Sequence, residues 1–253
     1  MFHATAEVIR FESHRTRTRS RLMIWLALAG FPSLLMILLQ SQAQGRIPDE
    51  VLALTTYYLV VQIGCMLGLL LWATPAVGSE LEAQTWIYLA MRPAGKIAVL
   101  LGKFIVAAVW TASAGLVSAI GVSFASQYSE PYLLARTLIL LVLLASVCYS
   151  ALYIMIGIAF TNRATVLAVI YTLLFEGVLS MVPATINKFT VCFRLRALLA
   201  DWCNLARIRS ESEALFGYEP AWQHLVCLVL YAVVVMVAAL WVMQTKEFPV
   251  NSE

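Results

Sequence analysis

Of the 253 residues, 62% are hydrophobic and only 12% are charged, with a formal net charge of +3. A soluble domain is about 45–50% apolar and about 25% charged, so this composition excludes an ordinary soluble protein and makes lipid the solvent for most of the surface. Few groups remain for catalysis, and no nucleic-acid partner is expected.

The chain opens with residues 2–21, FHATAEVIRFESHRTRTRSR. Phe2, Ala6, Ile9 and Ser13 recur along one helical face, Val8 and Phe11 flank it, and the polar side grows basic toward the first apolar run. The pattern predicts an interfacial amphipathic helix in the headgroup layer, held by apolar burial and attraction to anionic lipid. A plain basic flank that only sets topology is the alternative.

Runs of about 20 apolar residues cross a bilayer core about 30 Å thick. Six runs qualify: residues 22–40, 51–77, 104–126, 137–160, 164–182 and 225–244. Pro75 breaks the second near its end, and the fifth contains one acid, Glu176. Each is expected to be a helix, because a lone strand leaves unpaired backbone groups in lipid. The expected fold is an all-α polytopic membrane protein of six transmembrane helices, forming a single transmembrane domain over residues 1–253. The first run, with its long Arg-rich flank, reads as a retained span rather than a signal peptide.

Short-loop basic residues set orientation. Arg10, Arg15, Arg17, Arg19, Arg21, Arg92, Lys96, Lys103, Arg163 and Lys246 fall on one side, against Arg46 and Arg136 on the other. Both termini are therefore expected in the cytoplasm.

Between the second and third spans, residues 79–96 form a charged insert. Ser79 and Glu82 have capping-box spacing. Trp86, Leu89 and Ala90 share one helical face, and Pro93 with Gly95 makes a turn. A short cytoplasmic helix follows, either a docking element for a soluble partner or a solvated connector with an interfacial aromatic.

Residues 183–224 form the expected external loop. Phe189, Phe193, Leu195, Leu198, Leu199 and Trp202 alternate with Arg194, Arg196 and Asp201. One or two helices partly sunk among the spans are expected, as a packing element or as a ligand-binding lid. Gly217, Tyr218 and Pro220 end the segment. Cys65, Cys148 and Cys227 lie in spans, whereas Cys192 and Cys203 in this loop are free or bridged. No Cys or His spacing suits a metal site.

Glu176 lies about 15 Å of helix from Val166 and about 10 Å from Pro183, within the bilayer and nearer the outside. A carboxyl there is costly and should face the bundle or a wet cavity. It is a structural anchor or a proton or cation relay. Thr111, Ser113, Ser118, Ser146 and Ser150 are scattered through otherwise apolar spans, which suits an amphipathic cargo or plain helix packing.

Several of these features occur in a recognisable order. A basic elbow segment precedes the first span, and the second span leads into Glu80, Glu82 and Thr85. Tyr88 and Leu89, Arg92 and Pro93, and the pair Gly102–Lys103 follow; Glu176–Gly177 comes late in the fifth span, with Pro183 soon after it. In these the chain resembles, along essentially its whole length, the permease subunits of type-2 ATP-binding-cassette (ABC) exporters. Gln84 departs from the Gly that many members carry before the Thr. The resemblance implies that the loop between the second and third spans is a coupling helix seated on an ATPase subunit, with Glu80, Glu82, Thr85, Trp86, Tyr88 and Arg92 as contact residues. It implies a transporter of two permease subunits, identical or homologous, and two ATPase subunits, in the plasma (inner) membrane of a bacterium. The chain has no G-x-x-x-x-G-K-[ST] phosphate loop. It is therefore expected to be non-catalytic and to bind no cofactor itself, with ATP and Mg on the partner. The rival readings are a secondary transporter or channel using Glu176 and a non-transporting assembly subunit.

Overall fold

A computed structural model describes residues 2–43, 47–76, 78, 80, 95–181, 185–217 and 219–246. Regular structure among them is entirely helical. The helices are α1 (Phe2–Thr16), α2 (Arg19–Gln42), α3 (Asp49–Ala76), α4 (Gly95–Ala125) and α5 (Pro131–Ala159). After them come α6 (Ala164–Val178), α7 (Val191–Trp202), α8 (Ala206–Phe216) and α9 (Ala221–Thr245). Short 3₁₀ turns at Leu179–Met181 and Thr185–Phe189 lie between α6 and α7.

Five of these helices, α2, α3, α4, α5 and α9, are long and apolar enough to cross a membrane. The sixth expected span differs. α6 is 8 residues of α-helix followed by 7 of π-helix, about 20 Å in all and short of a bilayer core. The run to Met181 changes its hydrogen-bond pattern on the way, from α-helix to π-helix at Thr172 and to a 3₁₀ turn at Leu179–Met181. α4 differs in the other direction. It begins at Gly95 and carries Lys96 and Lys103 inside the helix, ahead of the uncharged run that marked its start in the sequence.

α5 is the centre of the bundle. In its most apolar stretch 67% of residues are buried, against 17% for α2 and 22% for α9. α4 and α9 flank α5, while α1 and α2 pack on α4, and α7 lies against α5 and α9. In lipid the spans gain nothing from burying apolar surface against each other, so close approach of small residues sets the packing. The buried stripe of α4 is accordingly Ala107, Thr111, Ala114, Gly115, Ser118 and Val122. A Cβ added at Gly115 would lie 2.7 Å from Val142 Cγ1 of α5.

α1 meets the rest of the protein through one face. Glu12 and Thr16 are buried and Val8 and Ile9 half-buried, whereas Ala6 and Phe11 are exposed. The register that meets the protein is Val8–Glu12–Thr16, because Glu12 has a buried lysine to reach on α4 (below). Val8 rides directly over Gly102: a Cβ there would lie 2.5 Å from Val8 Cγ1. Gly102→Ala is therefore expected to lower stability by about 1–3 kcal/mol through overpacking and to free α1. Adding Val8→Ala should recover part of the loss. Thermal unfolding and protease cleavage at the arginines after α1, measured on both variants, check this.

Candidate functional site

α7 begins inside the bundle. Its first N–H groups have no partner within the helix, and in an apolar surrounding each must find one. All four do. Thr190 N donates to Asn187 O at 2.9 Å. Val191 N and Cys192 N donate to Glu176 Oε1 and Oε2 at 3.3 and 2.9 Å, and Phe193 N donates to the Thr190 hydroxyl at 3.2 Å. Glu176 thus caps α7 from across on α6, its carboxyl oxygens accepting the N–H groups at the positive end of the helix.

The carboxyl is fully buried and has two further donors. Tyr149 OH of α5 lies 3.0 Å from Oε2, and Tyr171 OH lies 3.3 Å from Oε1. Four donors converge on two oxygens, the complement of an acceptor-only group. The backbone joins in: Gln62 Nε2 of α3 donates to Glu176 O at 3.0 Å, and Tyr57 OH donates to Cys192 O at 3.1 Å. Gln62 stands halfway along α3. Both contributing backbones are π-helical, Tyr58–Cys65 in α3 and Thr172–Val178 in α6. A π-turn widens the helix and turns a side chain out of register, which lets Gln62 and Glu176 face each other from two apolar helices.

Cys192 and Cys203 do not bridge. All five cysteines are free, and these two stand at opposite ends of α7, about 16 Å of helix apart and beyond disulfide reach.

A second polar cluster ties α1 to α4. Lys103 Nζ contacts Glu12 Oε1 at 2.7 Å and Glu80 Oε1 at 3.0 Å, and Arg15 NH1 contacts the same Glu80 oxygen at 2.7 Å. Lys103 and Glu80 are buried. Two cations and two carboxylates balance, and removing one member of such a set costs about 3–5 kcal/mol because a buried charge loses its partner. Glu80 therefore points inward, anchoring the start of the segment between α3 and α4 to α1 and α4. The other residues expected to contact an ATPase, Glu82, Thr85, Trp86, Tyr88 and Arg92, lie outside the described residues.

At the other end of the bundle Glu219 bridges Lys188 Nζ at 2.5 Å and Arg194 NH1 at 2.6 Å. Burial pushes its carboxyl pKa up, but the Lys188 hydrogen bond and the Arg194 charge outweigh that and hold it below the ordinary value. Arg194 and Phe193, read from the sequence as alternating faces of one helix, both lie on α7.

Sequence reasoning singled out Glu176 but none of its partners. Tyr149 and Tyr171 are hydroxyls inside apolar runs, and Gln62 is an amide in an uncharged run. Each was a visible polar exception, but nothing in the sequence paired it with residue 176.

With this geometry in place, comparison with known families becomes informative. A family model described as ABC-2 family transporter protein matches residues 9–178. The chain belongs to this family. No curated protein matches it. The matched part of this ABC-2 permease runs from α1 to the end of α6 and includes Glu176 and the α1–α4 ionic cluster; α7 to α9 lie beyond it. As a member of the family the chain is a membrane transport component and not itself the catalyst.

Glu176→Gln should lower thermal stability modestly. The amide oxygen can still accept from Cys192 N, but the NH₂ opposes Val191 N–H, leaving a donor unmatched at a cost of about 1–3 kcal/mol. Glu176→Leu, which strips every acceptor, should cost more. Melting curves in the order wild type, Gln, Leu are the expected result, and equal melting of all three contradicts the capping role.

Glu219 yields a pH dependence. Its folded pKa lies below the unfolded value, so its contribution is complete above the ordinary carboxylate pKa of about 4.3 and disappears as pH falls through the folded value. The difference in melting temperature between wild type and Glu219→Gln should be constant near neutral pH and shrink on acidification below that point.

Proposed function

We propose that this ABC-2 permease is the transmembrane subunit of an exporter, driven by a separate ATPase subunit that holds ATP and Mg. Two permease copies, or one and a homologue, would pair with two ATPase subunits. The complex would sit in the bacterial inner membrane with both permease termini in the cytoplasm, on the side richer in short-loop Arg and Lys.

The observation that carries the reading is the ionic cluster of Glu12, Arg15, Glu80 and Lys103. It fastens Glu80, near the start of the coupling segment, to α1 and to α4. A push delivered to residues 82–92 by a closing ATPase dimer then reaches two helices at once, through contacts too costly to break locally. ATP binding on the partner would shift the population of span arrangements, to the extent that the ATPase favours one of them. Glu82, Thr85, Trp86, Tyr88 and Arg92 would form the docking face, with Glu80 as its inward anchor.

The rival reading, a secondary transporter that works through Glu176, has less support. Its carboxyl oxygens are held by four donors from three segments, an arrangement suited to a fixed anchor.

The decisive experiment is co-purification. Glu82→Lys combined with Trp86→Ala should leave the chain inserted while the ATPase recovered with it falls roughly tenfold or more, the loss expected from about 1.4 kcal/mol or greater. Undiminished stoichiometric ATPase in the double variant would overturn the docking assignment.

A further inference from the structure

Where α1, the start of α2, the end of α3 and residues 103–110 of α4 meet, there is a cleft of about 530 Å³, part of it open to solvent. Its polar wall includes Glu12, Arg15, Arg21 and Lys103, and its deeper wall includes Trp72 and Trp110. The rings of Trp25, Trp72 and Trp110 pack together, with centroid distances of 6.4 and 6.2 Å along the chain of contacts. Trp25 and Trp72 lie near the ends of α2 and α3, where tryptophan marks the headgroup level of a membrane, and Trp110 lies deeper, at the middle of α4.

Charges in this region do not cancel. Arg15 and Lys103 are matched by Glu12 and Glu80. Arg21 adds a third cation, and its guanidinium makes a 3.3 Å hydrogen bond to the neutral Thr16 hydroxyl, with no carboxylate in ion-pair range among the described residues. Four more N–H donors of that group remain for a ligand. Trp110 also lines the cleft, and its Nε1–H is buried with no hydrogen-bond partner among the described residues. An unpartnered buried donor is costly, and an acceptor entering the cleft would relieve it. Beside Arg21 the outer face of α2 is bare and apolar: Leu22, Met23 and Leu26 are 47%, 70% and 56% exposed.

We infer that the cleft binds the phosphate of an anionic phospholipid, with its acyl chains along the exposed face of α2. A phosphodiester carries one negative charge, which neutralises the net single positive charge of the five ionisable groups. Its oxygens accept bidentate hydrogen bonds from Arg21 and meet the donor of Trp110. Free phosphate shares this chemistry but cannot use the apolar track on α2. A choline headgroup brings its own cation and leaves the positive charge unneutralised. The site is independent of the coupling reading, because the chain alone forms it and would bind lipid whether or not an ATPase docks.

The test uses the full chain in a neutral detergent, unfolded thermally while phosphatidylglycerol, phosphatidylcholine or inorganic phosphate is titrated in. Phosphatidylglycerol should raise the melting temperature, and the other two should do so much less. Arg21→Gln should raise the half-effective phosphatidylglycerol concentration roughly tenfold or more. Trp110→Phe, which keeps the ring and removes the donor, should raise it several-fold. Arg17→Gln, at an exposed arginine outside the cleft lining, should respond as wild type does. An unchanged response in both Arg21→Gln and Trp110→Phe overturns the site. Loss of response in Arg17→Gln as well reduces it to diffuse surface charge and also overturns it. Equal effects of inorganic phosphate and phosphatidylglycerol overturn the lipid assignment in favour of a free anion.

Discussion

A helix that starts inside an apolar bundle brings bare N–H groups where no water can meet them. In this protein that helix is α7, and Glu176 resolves the problem from the neighbouring short helix. The rest of the central arrangement follows from this one contact. α6 must stop where its carboxyl faces the α7 terminus. Its last turns widen into a π-helix that aims Glu176 inward while Leu173, Leu174 and Phe175 stay exposed. The π-segment of α3 places Gln62 against the same backbone. Tyr149 and Tyr171 complete the carboxyl's shell. What looks like an expensive residue in a membrane span is the group that caps the buried start of α7.

The two ends of the bundle are held by different means. At the end bearing α1, a charge-balanced cluster and the close seat of Val8 on Gly102 bind α1 to α4, and Lys246 Nζ donates to Ile158 O and Ala159 O at 2.9 and 2.8 Å. That lysine serves the free carbonyls at the C-terminus of α5, where a cation is favoured. At the other end, Glu219 gathers Lys188 and Arg194 beside the start of α9. Between these polar ends, small-residue packing of α4 on α5 is joined by the hydrogen-bond network of Glu176.

The composition and the uncharged runs alone determined that the chain is an all-α membrane protein, since lipid leaves a lone backbone segment no alternative to the helix. The order of the acidic, Thr and Gly–Lys features sufficed to point to the ABC-2 family, because those residues lie close together in the chain. Glu176 was also visible as one acid in an apolar run. Only the tertiary structure decided what these residues touch. The partners of Glu176 lie 15 and 16 residues away along the chain and on a separate span, and Lys103 reaches Glu12 across 91 residues. The shortened α6, the buried face of α1 and the separation of Cys192 from Cys203 likewise depend on where a buried charge or helix end finds its complement. Periodicity reports how each segment meets its solvent; it carries no information on which distant group satisfies a polar atom once water is gone.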